Sequence, residues 1–216
     1  MASEHAGTAS DPVLEPGETM TVVVATNNRG KLTEIRATLD FTGWRFVAAG
    51  ELDGEWPSPE EDGETFEDNA RIKARAAFER FGMPALADDS GLEVDALDGA
   101  PGVYSSRFAG PCATDAENNS RLLLALADVP AEQRTARFRC TMVLIGQDGR
   151  ETVASGSCEG SIGYAAAGEG GFGYDPLFRP DATPGRTMAE LEVAEKNAIS
   201  HRGAALRALR EALASG

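Results

Sequence analysis

Residues 22–39 read VVVATNNRGKLTEIRATL and carry the clearest fold signal in the chain. The run begins with four apolar residues, 22–25, which is typical of a strand covered on both faces. After a turn of small polar residues, Leu32, Ile35 and Leu39 recur at helical spacing. This stretch therefore predicts a strand, a turn and a helix, the repeating unit of an α/β fold.

The alternation of strands and helices continues along the chain. A capping box at Thr114 and Glu117 starts one helix, and the pair Asp148-Gly149 is a two-residue hairpin signal between apolar-rich runs. These patterns predict an α/β fold with a mixed sheet, because strands alternate with helices and one pair forms an antiparallel hairpin. Strands are predicted at residues 44–47, 137–145 and 151–158, and helices at residues 65–81, 114–127, 188–191 and 200–214.

Composition limits the classes of partner. The formal net charge of −15 repels a nucleic-acid backbone, whose affinity for proteins rests on neutralised phosphates. No apolar run is long enough to span a bilayer, and the N-terminus lacks the layout of a secretory signal. We therefore expect a cytoplasmic protein with no nucleic-acid and no membrane partner. Residues 1–19 hold four acidic residues and no Lys or Arg, which predicts a disordered extension before a single domain at residues 20–216.

The three cysteines are predicted to be free thiols. If the hairpin closes through a two-residue turn, Cys140 faces Ser157 on the neighbouring strand. Cys158 then points to the other side of the sheet, away from Cys140. Cys112 has no partner at CxxC spacing, and free thiols are typical of a reducing compartment.

Asp88 and Asp89 form the most unusual polar feature of the sequence. We expect them where the apolar run 85–87 stops and a turn begins at Ser90-Gly91. Because neighbouring residues of a strand point to opposite faces, the two carboxylates cannot share one core, and at a strand end they can reach a ligand. Such a pair suits Mg²⁺, which takes one or two carboxylates and shares its other positions with water and phosphates. An acidic turn without a ligand stays open as the alternative.

Residues 26–31, Thr-Asn-Asn-Arg-Gly-Lys, form a candidate anion site. Orphan N–H groups and the dipole of a helix N-terminus attract negative charge. Arg29 and Lys31 stand at a helix start, where that dipole disfavours cations, and a bound polyphosphate would remove the penalty. An ordinary strand-to-helix turn remains the alternative. Lys73, at the edge of the apolar stripe of the 65–81 helix, either reaches a phosphate or snorkels to solvent.

Two later segments carry polar donors or an aromatic ring in unusual positions. Ser200 is a good N-cap and sets His201 and Arg202 in the first turn of the last helix. Arg202 begins a stripe that otherwise enters the core, so it either forms a structural salt bridge or meets a ligand. Phe172, between glycines, either stacks on a flat base or belongs to a flexible connection. The run Glu60-Glu61-Asp62 could add a further metal ligand, although acidic loops are commonly only solvated.

Taken together, these segments resemble the inosine triphosphate pyrophosphatase family. The resemblance runs from about Thr21 to the C-terminus and is specific, because several separate motifs occur in the family's order. One departure is Asn27, where the family often has glycine, and Asn tolerates a left-handed backbone better than most residues. The matching motifs are residues 25–31, 65–70, 87–95, 99–105, 171–176 and 200–203.

The resemblance implies an elongated α/β fold with a long central mixed sheet, two lobes and the nucleotide cleft between them. It further implies a homodimer, dependence on Mg²⁺, and hydrolysis of ITP, dITP and XTP to the nucleoside monophosphate and pyrophosphate. By motif matching, Asp89 would be the catalytic proton acceptor and a metal ligand, Glu61 a further metal ligand, and Ser90 a substrate contact. The triphosphate would be held by Thr26, Asn27, Asn28, Arg29, Gly30, Lys31 and Lys73. The base and sugar would be surrounded by Phe172, Gly173, Tyr174, Asp175, Lys196, His201 and Arg202.

Two alternatives stay open beside this interpretation. One is a related housekeeping pyrophosphatase that acts on modified pyrimidine or methylated nucleotides. The other is a nucleotide-binding module without catalytic activity, which the acidic residues make a poorer explanation. The donors of His201 and Arg202 favour purines with a 6-keto group, because adenine carries an amino donor at that position and would leave them without an acceptor.

Overall fold

The computed structural model describes residues 19–39, 41–53 and 56–215, in which the strands form a mixed sheet in the order β2-β1-β3-β4-β5-β6. The predicted α/β class is therefore confirmed. The disorder predicted for residues 1–19 falls outside the described part except at residue 19. The strands are β1 (Met20–Val24), β2 (Trp44–Ala48), β3 (Ala85–Val94), β4 (Thr135–Ile145), β5 (Glu151–Ile162) and β6 (Phe178–Pro180). The helices are α1 (Arg29–Thr38), α2 (Ala49–Asp53), α3 (Phe66–Phe81), α4 (Asp115–Ala125), α5 (Val193–Ile199) and α6 (His201–Ser215).

The sheet changes direction at β3, and this leaves part of that strand with a free edge. β1 lies parallel to β2 and to β3, whereas β3, β4, β5 and β6 are antiparallel neighbours. β1 pairs with β3 only at Ala85 and Leu86, while β4 follows β3 as far as Val94. Past Leu86, the edge of β3 that faces β1 is therefore open to the cleft where β1 ends.

Helices cover both faces of the sheet, as the continuous apolar run of β1 predicts. On one face, α1 and α6 pack against Val22 and Val24, and on the other α3 packs against Val23 through a stripe of alanines. A further apolar cluster around Phe138, Leu177 and Phe178 lies toward β6. The cleft lies between these clusters, at the point where β1 ends and β3 continues.

The turn expected at Ser90-Gly91 does not exist, because β3 continues through both residues. Ser90 pairs with Cys140 and Gly91 with Arg139 on β4. Gly91 is required for a different reason: a Cβ there would collide with the carbonyl oxygen of Gly102, in the 3₁₀ helix that packs on the strand. A glycine of close packing and a glycine of a turn have the same local sequence signature.

The hairpin register also differs from the expectation by one residue. Cys140 pairs with Gly156, not with Ser157, so Cys158 lies on the same face as Cys140. The turn has three residues instead of two, with Gly149 in the left-handed region at φ 79°, a common three-residue hairpin geometry. The cysteines are nevertheless free, with Cys140 and Cys158 buried.

The predicted helices agree with the structure except near the C-terminus. α3 is capped by Thr65 and ends at the left-handed Gly82, and the capping box of Thr114 opens α4, which stops at Ala125. Residues 188–190 form a 3₁₀ turn, and α5 was missed because it buries no apolar stripe. In the described ranges, no helix is long and apolar enough to cross a membrane.

Candidate functional site

Asp88 and Asp89 lie in the middle of β3 and are both buried, at 3% and 8% relative exposure. Since adjacent strand residues point to opposite faces, each carboxylate enters a different environment. Burial of a carboxylate is costly unless it is paired, and each of the two has its own cations. The prediction of opposite faces is confirmed, while the prediction of a strand end is wrong.

On the α3 side, Asp89 belongs to a compact polar cluster. The ammonium of Lys73 lies 2.9 Å from Asp89 and 3.2 Å from Glu61, so one cation bridges two carboxylates. Asn69 donates its side-chain amide to the other oxygen of Asp89 at 3.3 Å. Asn69 and Lys73 are one turn apart on α3 and thus share a face. The snorkelling alternative for Lys73 is therefore wrong, because its side chain is buried among acceptors.

The charges of this cluster suit proton acceptance and cation binding. Burial raises the pKa of Asp89, Lys73 opposes that rise, and Glu61 adds to it. Burial alone would lower the pKa of Lys73, but Asp89, Asp88 and Glu61 together raise it, so the ammonium stays charged. A carboxylate with a raised pKa accepts a proton more readily than an exposed aspartate does.

The donor set of this cluster fits Mg²⁺. Asp89 and Glu61 already surround a single positive charge, and two carboxylates are the number that Mg²⁺ commonly takes beside water and phosphate oxygens. Within the described ranges, no group of three or more His, Cys, Asp and Glu side chains is assembled for a metal. Arg107 donates to the carbonyl oxygen of Glu61 at 3.2 Å and holds the acidic loop against the 3₁₀ helix Gly102–Arg107.

On the opposite face, Asp88 joins the first and the last helix. Lys31 of α1 lies 2.9 Å from Asp88, and the guanidinium of Arg202 lies 3.4 Å from it. Arg202 also donates to Glu34 at 2.6 Å and to Ser90 Oγ at 3.2 Å. Sequence reasoning did not single out Asp88 by itself and missed Glu34. Glu34 lies three residues after Lys31 on the same face of α1, and this spacing was the signal by which it could have been found.

Both charges of this buried pair are stabilised in their ionised forms. Burial alone would raise the pKa of Asp88, but Lys31 and Arg202 outweigh it and hold the pKa well below its usual range. Burial would lower the pKa of Arg202, and Asp88 with Glu34 raises it instead. The two interpretations of Arg202 as salt bridge and as ligand contact are therefore compatible, since the side chain is ion-paired and also lines a cavity.

A cavity of about 270 Å³ opens beside this ion-pair group, a size close to that of small-ligand pockets. It brings together residues predicted separately from four stretches of the sequence. The predicted site residues that line it are Asn28, Lys31, Ser90, Phe172, Gly173, Tyr174, Asp175, Lys196, His201 and Arg202. Its walls also contain Ser105, Ser106, Asp115 and Asn118, none of which was predicted as a site residue, although Ser105 ends the matching motif 99–105.

Phe172 presents an aromatic ring to this cavity and is 39% exposed. The ammonium of Lys196 lies 4.6 Å from the centre of that ring and 2.7 Å from the carboxylate of Asp175. Asp175 also accepts from the backbone N–H of Phe172 at 2.9 Å. Tyr174 is buried and donates its hydroxyl to the carbonyl of Ser105 at 2.8 Å. A flat ligand can thus stack on Phe172 while Lys196 meets its polar edge.

His201 contributes a neutral ring to the same cavity. Burial and the neighbouring Arg202 hold the pKa of His201 well below its ordinary value. Its ring stacks on Phe138 with 4.9 Å between ring centres, which fixes its plane. Within the described part of the chain, Nδ1 of His201 is buried and has no hydrogen-bond partner. A buried polar atom of this kind in a cavity wall is suited to a ligand contact.

The turn at residues 26–31 lies at the mouth of the cleft. Asn28 caps α1 by accepting from the N–H groups of Gly30 and Lys31, at 2.8 and 3.2 Å. These two N–H groups are therefore satisfied within the chain, and the ammonium of Lys31 points to Asp88. Thr26, Asn27 and Arg29 line a second cavity, of about 440 Å³, that shares Asn28 with the first.

The two groups of site residues meet at the open edge of β3. The carbonyl of Leu86 accepts from the N–H of Ala25, the residue after β1, and the N–H of Leu92 donates to the hydroxyl of Ser105. Backbone groups of alternate residues point the same way along a strand, so those of Asp88 and Ser90 also face this edge. A chain of phosphates can therefore run along the edge from the cavity toward Lys73 and Asp89.

Comparison with known proteins agrees with this arrangement. The sequence profile of the Ham1 family matches residues 22–212. The dITP/XTP pyrophosphatase of Desulforamulus reducens is 54% identical over 194 residues, which cover 90% of this chain and 96% of that protein. The dITP/XTP pyrophosphatase of Geobacter sulfurreducens is 52% identical over 192 residues, covering 89% and 96%.

Solved structures give the same result. A HAM1 protein from Coxiella burnetii superimposes with a TM-score of 0.82 at 43% identity, covering 92% of this chain and all of that one. The dITP/XTP pyrophosphatase of Mycobacterium abscessus gives a TM-score of 0.73 at 45% identity, covering 88% and 98%. These matches confirm the resemblance found in the sequence motifs. The chain belongs to the Ham1 family.

Proposed function

We propose that this protein is a hydrolase that cleaves ITP, dITP and XTP between the α- and β-phosphates, releasing the nucleoside monophosphate and pyrophosphate. The observation that carries the proposal is the Lys73 bridge between Asp89 and Glu61, one residue along β3 from the cavity that Ser90 lines. A base cavity and a phosphate-cleaving group thus share one strand edge. Relatives at 52–54% identity named dITP/XTP pyrophosphatase support the same activity.

Selectivity for the base follows from the donors that line the cavity. Phe172 offers a face for stacking, and Lys196, His201 and Arg202 bring N–H groups to the same space. Hypoxanthine and xanthine carry a 6-keto acceptor, which satisfies such donors. Adenine carries an amino group at that position, so the donors stay unpaired in a desolvated pocket. Sites built in this way discriminate by several orders of magnitude.

The phosphate chain is proposed to lie along the open edge of β3. Lys31 at the cavity and Lys73 beyond it are placed to neutralise charge at either end of that path. Residues 26–29 line the neighbouring cavity and are proposed to contact the outer phosphates. Preorganised cations of this kind stabilise the charge that develops on the departing pyrophosphate.

Asp89 and Glu61 are proposed to hold Mg²⁺. When bound there, the ion polarises phosphoryl oxygens and lowers the pKa of coordinated water. Asp89 is also proposed to accept the proton of the attacking water. Asn69 fixes the orientation of its carboxylate through the other oxygen. Cytoplasmic location, as the sequence composition predicts, and a homodimer, as the family resemblance implies, complete the proposal. Light scattering of the purified protein tests the dimer.

The decisive experiment is Mg²⁺-dependent pyrophosphate release from ITP, XTP, dITP, ATP and GTP, measured side by side. We expect release from the first three to exceed that from ATP by at least about a hundredfold. Asp89→Asn is expected to abolish release while inosine monophosphate still binds. The matched control is Asp128→Asn, which changes an exposed aspartate after α4. Equal rates on ATP and ITP contradict the selectivity, and full activity of Asp89→Asn contradicts the catalytic role.

The same assay separates the alternative activities. A preference for modified pyrimidine or methylated nucleotides would show as release from those substrates at rates above that from ITP. Nucleotide binding without release from any of them would identify a binding module. Neither alternative is favoured by a contact in the site, whereas the N–H donors around Phe172 favour a 6-keto purine.

A further inference from the structure

Helix α4 binds the backbone of both walls of the base cavity through polar side chains. Asn118 is 3% exposed and accepts from the N–H of Ala109 at 2.8 Å. Its amide donates to the carbonyl of Ser106 at 3.1 Å, so it fixes the wall that contains Ser105 and Ser106. The opposite wall contains Phe172, and α4 reaches it with two further side chains.

Those two side chains hold one residue, Gly173, from both ends. The carboxylate of Asp115 accepts from the N–H of Gly173 at 2.7 Å. The amide of Asn119 donates to the carbonyl oxygen of Gly173 at 2.8 Å. Asp115 and Asn119 are four residues apart on α4, so they lie one above the other on a single face. Gly173 has φ 60°, a left-handed conformation that glycine adopts without strain.

This attachment is important because Phe172 has little else to fix it. The ring is 39% exposed and is not a member of the apolar clusters of the described residues. It lies within 4.6 Å of Lys196 and 5.9 Å of Arg202, both of which are held by carboxylates. Its position is therefore set by the backbone on either side, through Asp175 on Phe172 and through α4 on Gly173.

We infer that Asp115 and Asn119 are positioning residues, which hold the loop of Phe172 at the distance from the Ser105 wall that a purine ring requires. This inference rests on the proposed function only in taking a purine as the ligand. A ring that is preorganised for stacking binds its ligand without the cost of ordering a loop, so loosening the loop weakens binding first. The chemistry at Asp89 lies on the other face of β3 and is not moved.

The test uses three variants and one control in the full-length protein. Asn119→Leu keeps the side-chain size and removes the donor to Gly173, and Asp115→Ala removes the acceptor. Asp115→Asn keeps an acceptor oxygen without the charge and is the conservative rescue. Ser120→Ala is the matched control, because Ser120 lies on the exposed side of α4 and bonds only within the helix.

Two measurements are made on each variant. The first is binding of inosine monophosphate by calorimetry without metal, together with KM and kcat for ITP where the wild type is active. The second is amide hydrogen exchange of residues 170–175, which reports loop opening whether or not the protein is an enzyme. Loss of one hydrogen bond predicts KM and the dissociation constant raised about 3- to 10-fold, with kcat within about twofold.

We expect faster exchange at residues 170–175 and weaker binding in Asn119→Leu and Asp115→Ala, with Asp115→Asn and Ser120→Ala near wild type. Unchanged exchange, or faster exchange without weaker binding, overturns the inference. A loss confined to kcat also overturns it, because positioning of the base then does not limit binding. If the wild type binds inosine monophosphate but hydrolyses no nucleotide, the proposed function fails, and the exchange and binding results still decide the role of α4.

Discussion

At the scale of single residues, two adjacent carboxylates of β3 lie in different environments, because neighbouring residues of a strand point to opposite faces of the sheet. Asp88 is enclosed by Lys31 and Arg202 and serves as their counter-ion. Asp89, on the other face, keeps a raised pKa and lies beside Glu61. One acidic pair in the sequence therefore links the cavity side of the cleft to the side covered by α3, because strand residues alternate in direction.

The role of Asp88 predicts how stability depends on pH. Its pKa is lower in the folded protein than in the unfolded chain, where it is about 3.9. Its contribution is therefore complete above that value and is lost as pH falls toward the folded pKa. Asp88→Asn, which leaves the half-buried Lys31 without its carboxylate and Arg202 with Glu34 alone, should lower the free energy of unfolding by about 3 kcal/mol at neutral pH. In urea unfolding, the difference in free energy of unfolding between the wild type and Asp88→Asn should become smaller at about pH 3. A difference that does not change with pH contradicts the role of Asp88 as a counter-ion.

Lys73 gives a second prediction, in which removal of its charge strengthens metal binding but slows pyrophosphate release. Lys73→Met removes the positive charge between Asp89 and Glu61. We expect Mn²⁺ or Mg²⁺ to bind the nucleotide-free protein about tenfold more tightly, because like charges at this distance repel. Pyrophosphate release should fall more than about a hundredfold, since a cation on the phosphates is lost.

Calorimetry with the metal and the release assay measure the two effects separately. Arg75→Met is the control, because Arg75 lies on the outer face of the same helix and pairs with Glu151. If the metal binds the wild type and Lys73→Met with equal affinity, the ammonium of Lys73 does not repel the metal ion, and this prediction is wrong.

Sequence motifs identified the residues that the structure gathers at the candidate site better than they identified the partners of those residues. Lys73, Asp89 and Arg202 were all identified from helical or strand position. Glu34, which neutralises Arg202 from 168 residues away, was not, because periodicity gives the face of a helix and not what packs on it. Asn69 was missed for the same reason.

At the scale of elements, the position of α6 depends on one glycine of β5. A Cβ at Gly156 would collide with the carbonyl of His201 and the N–H of Ala205, and it would lie 2.8 Å from the Cβ of Ala204. The helix that carries His201 and Arg202 thus rests directly on the backbone of the strand. The sequence does not reveal this, because a glycine within a strand pattern indicates a close approach without naming the neighbour.

Gly156→Ala should therefore move the start of α6 and affect binding as well as stability. We expect a loss of about 1–3 kcal/mol in the free energy of unfolding and a higher KM for ITP, because the added methyl group overpacks the contact. The control is Gly50→Ala in α2, where a Cβ meets nothing within 4 Å. Thermal unfolding and steady-state kinetics measure both effects, and equal behaviour of the two variants contradicts this account of α6.

At the scale of the whole molecule, the candidate site has less net positive charge than is expected of a site that binds a polyphosphate. Four of its cations are already paired with carboxylates inside the protein. The ion-paired site groups are Lys31, Lys73, Lys196 and Arg202 against Glu34, Glu61, Asp88, Asp89 and Asp175, so among them four positive charges face five negative ones. The formal net charge of the chain is −15. A nucleotide anion would therefore approach against the field, and the divalent ion proposed at Asp89 and Glu61 would reverse it locally.

This balance predicts the sign of the salt dependence. Charges farther apart than the Debye length, about 8 Å at physiological ionic strength, are screened by salt. Raising the ionic strength from about 20 to about 150 mM at constant free Mg²⁺ should therefore increase kcat/KM for ITP about two- to threefold, because long-range repulsion is reduced. The kcat at saturating substrate is the internal control, because it does not depend on the rate at which nucleotide and enzyme associate. A kcat/KM that falls with salt contradicts this account. It would mean that the cations around the β3 edge attract the nucleotide from a distance while they are still paired with their carboxylates.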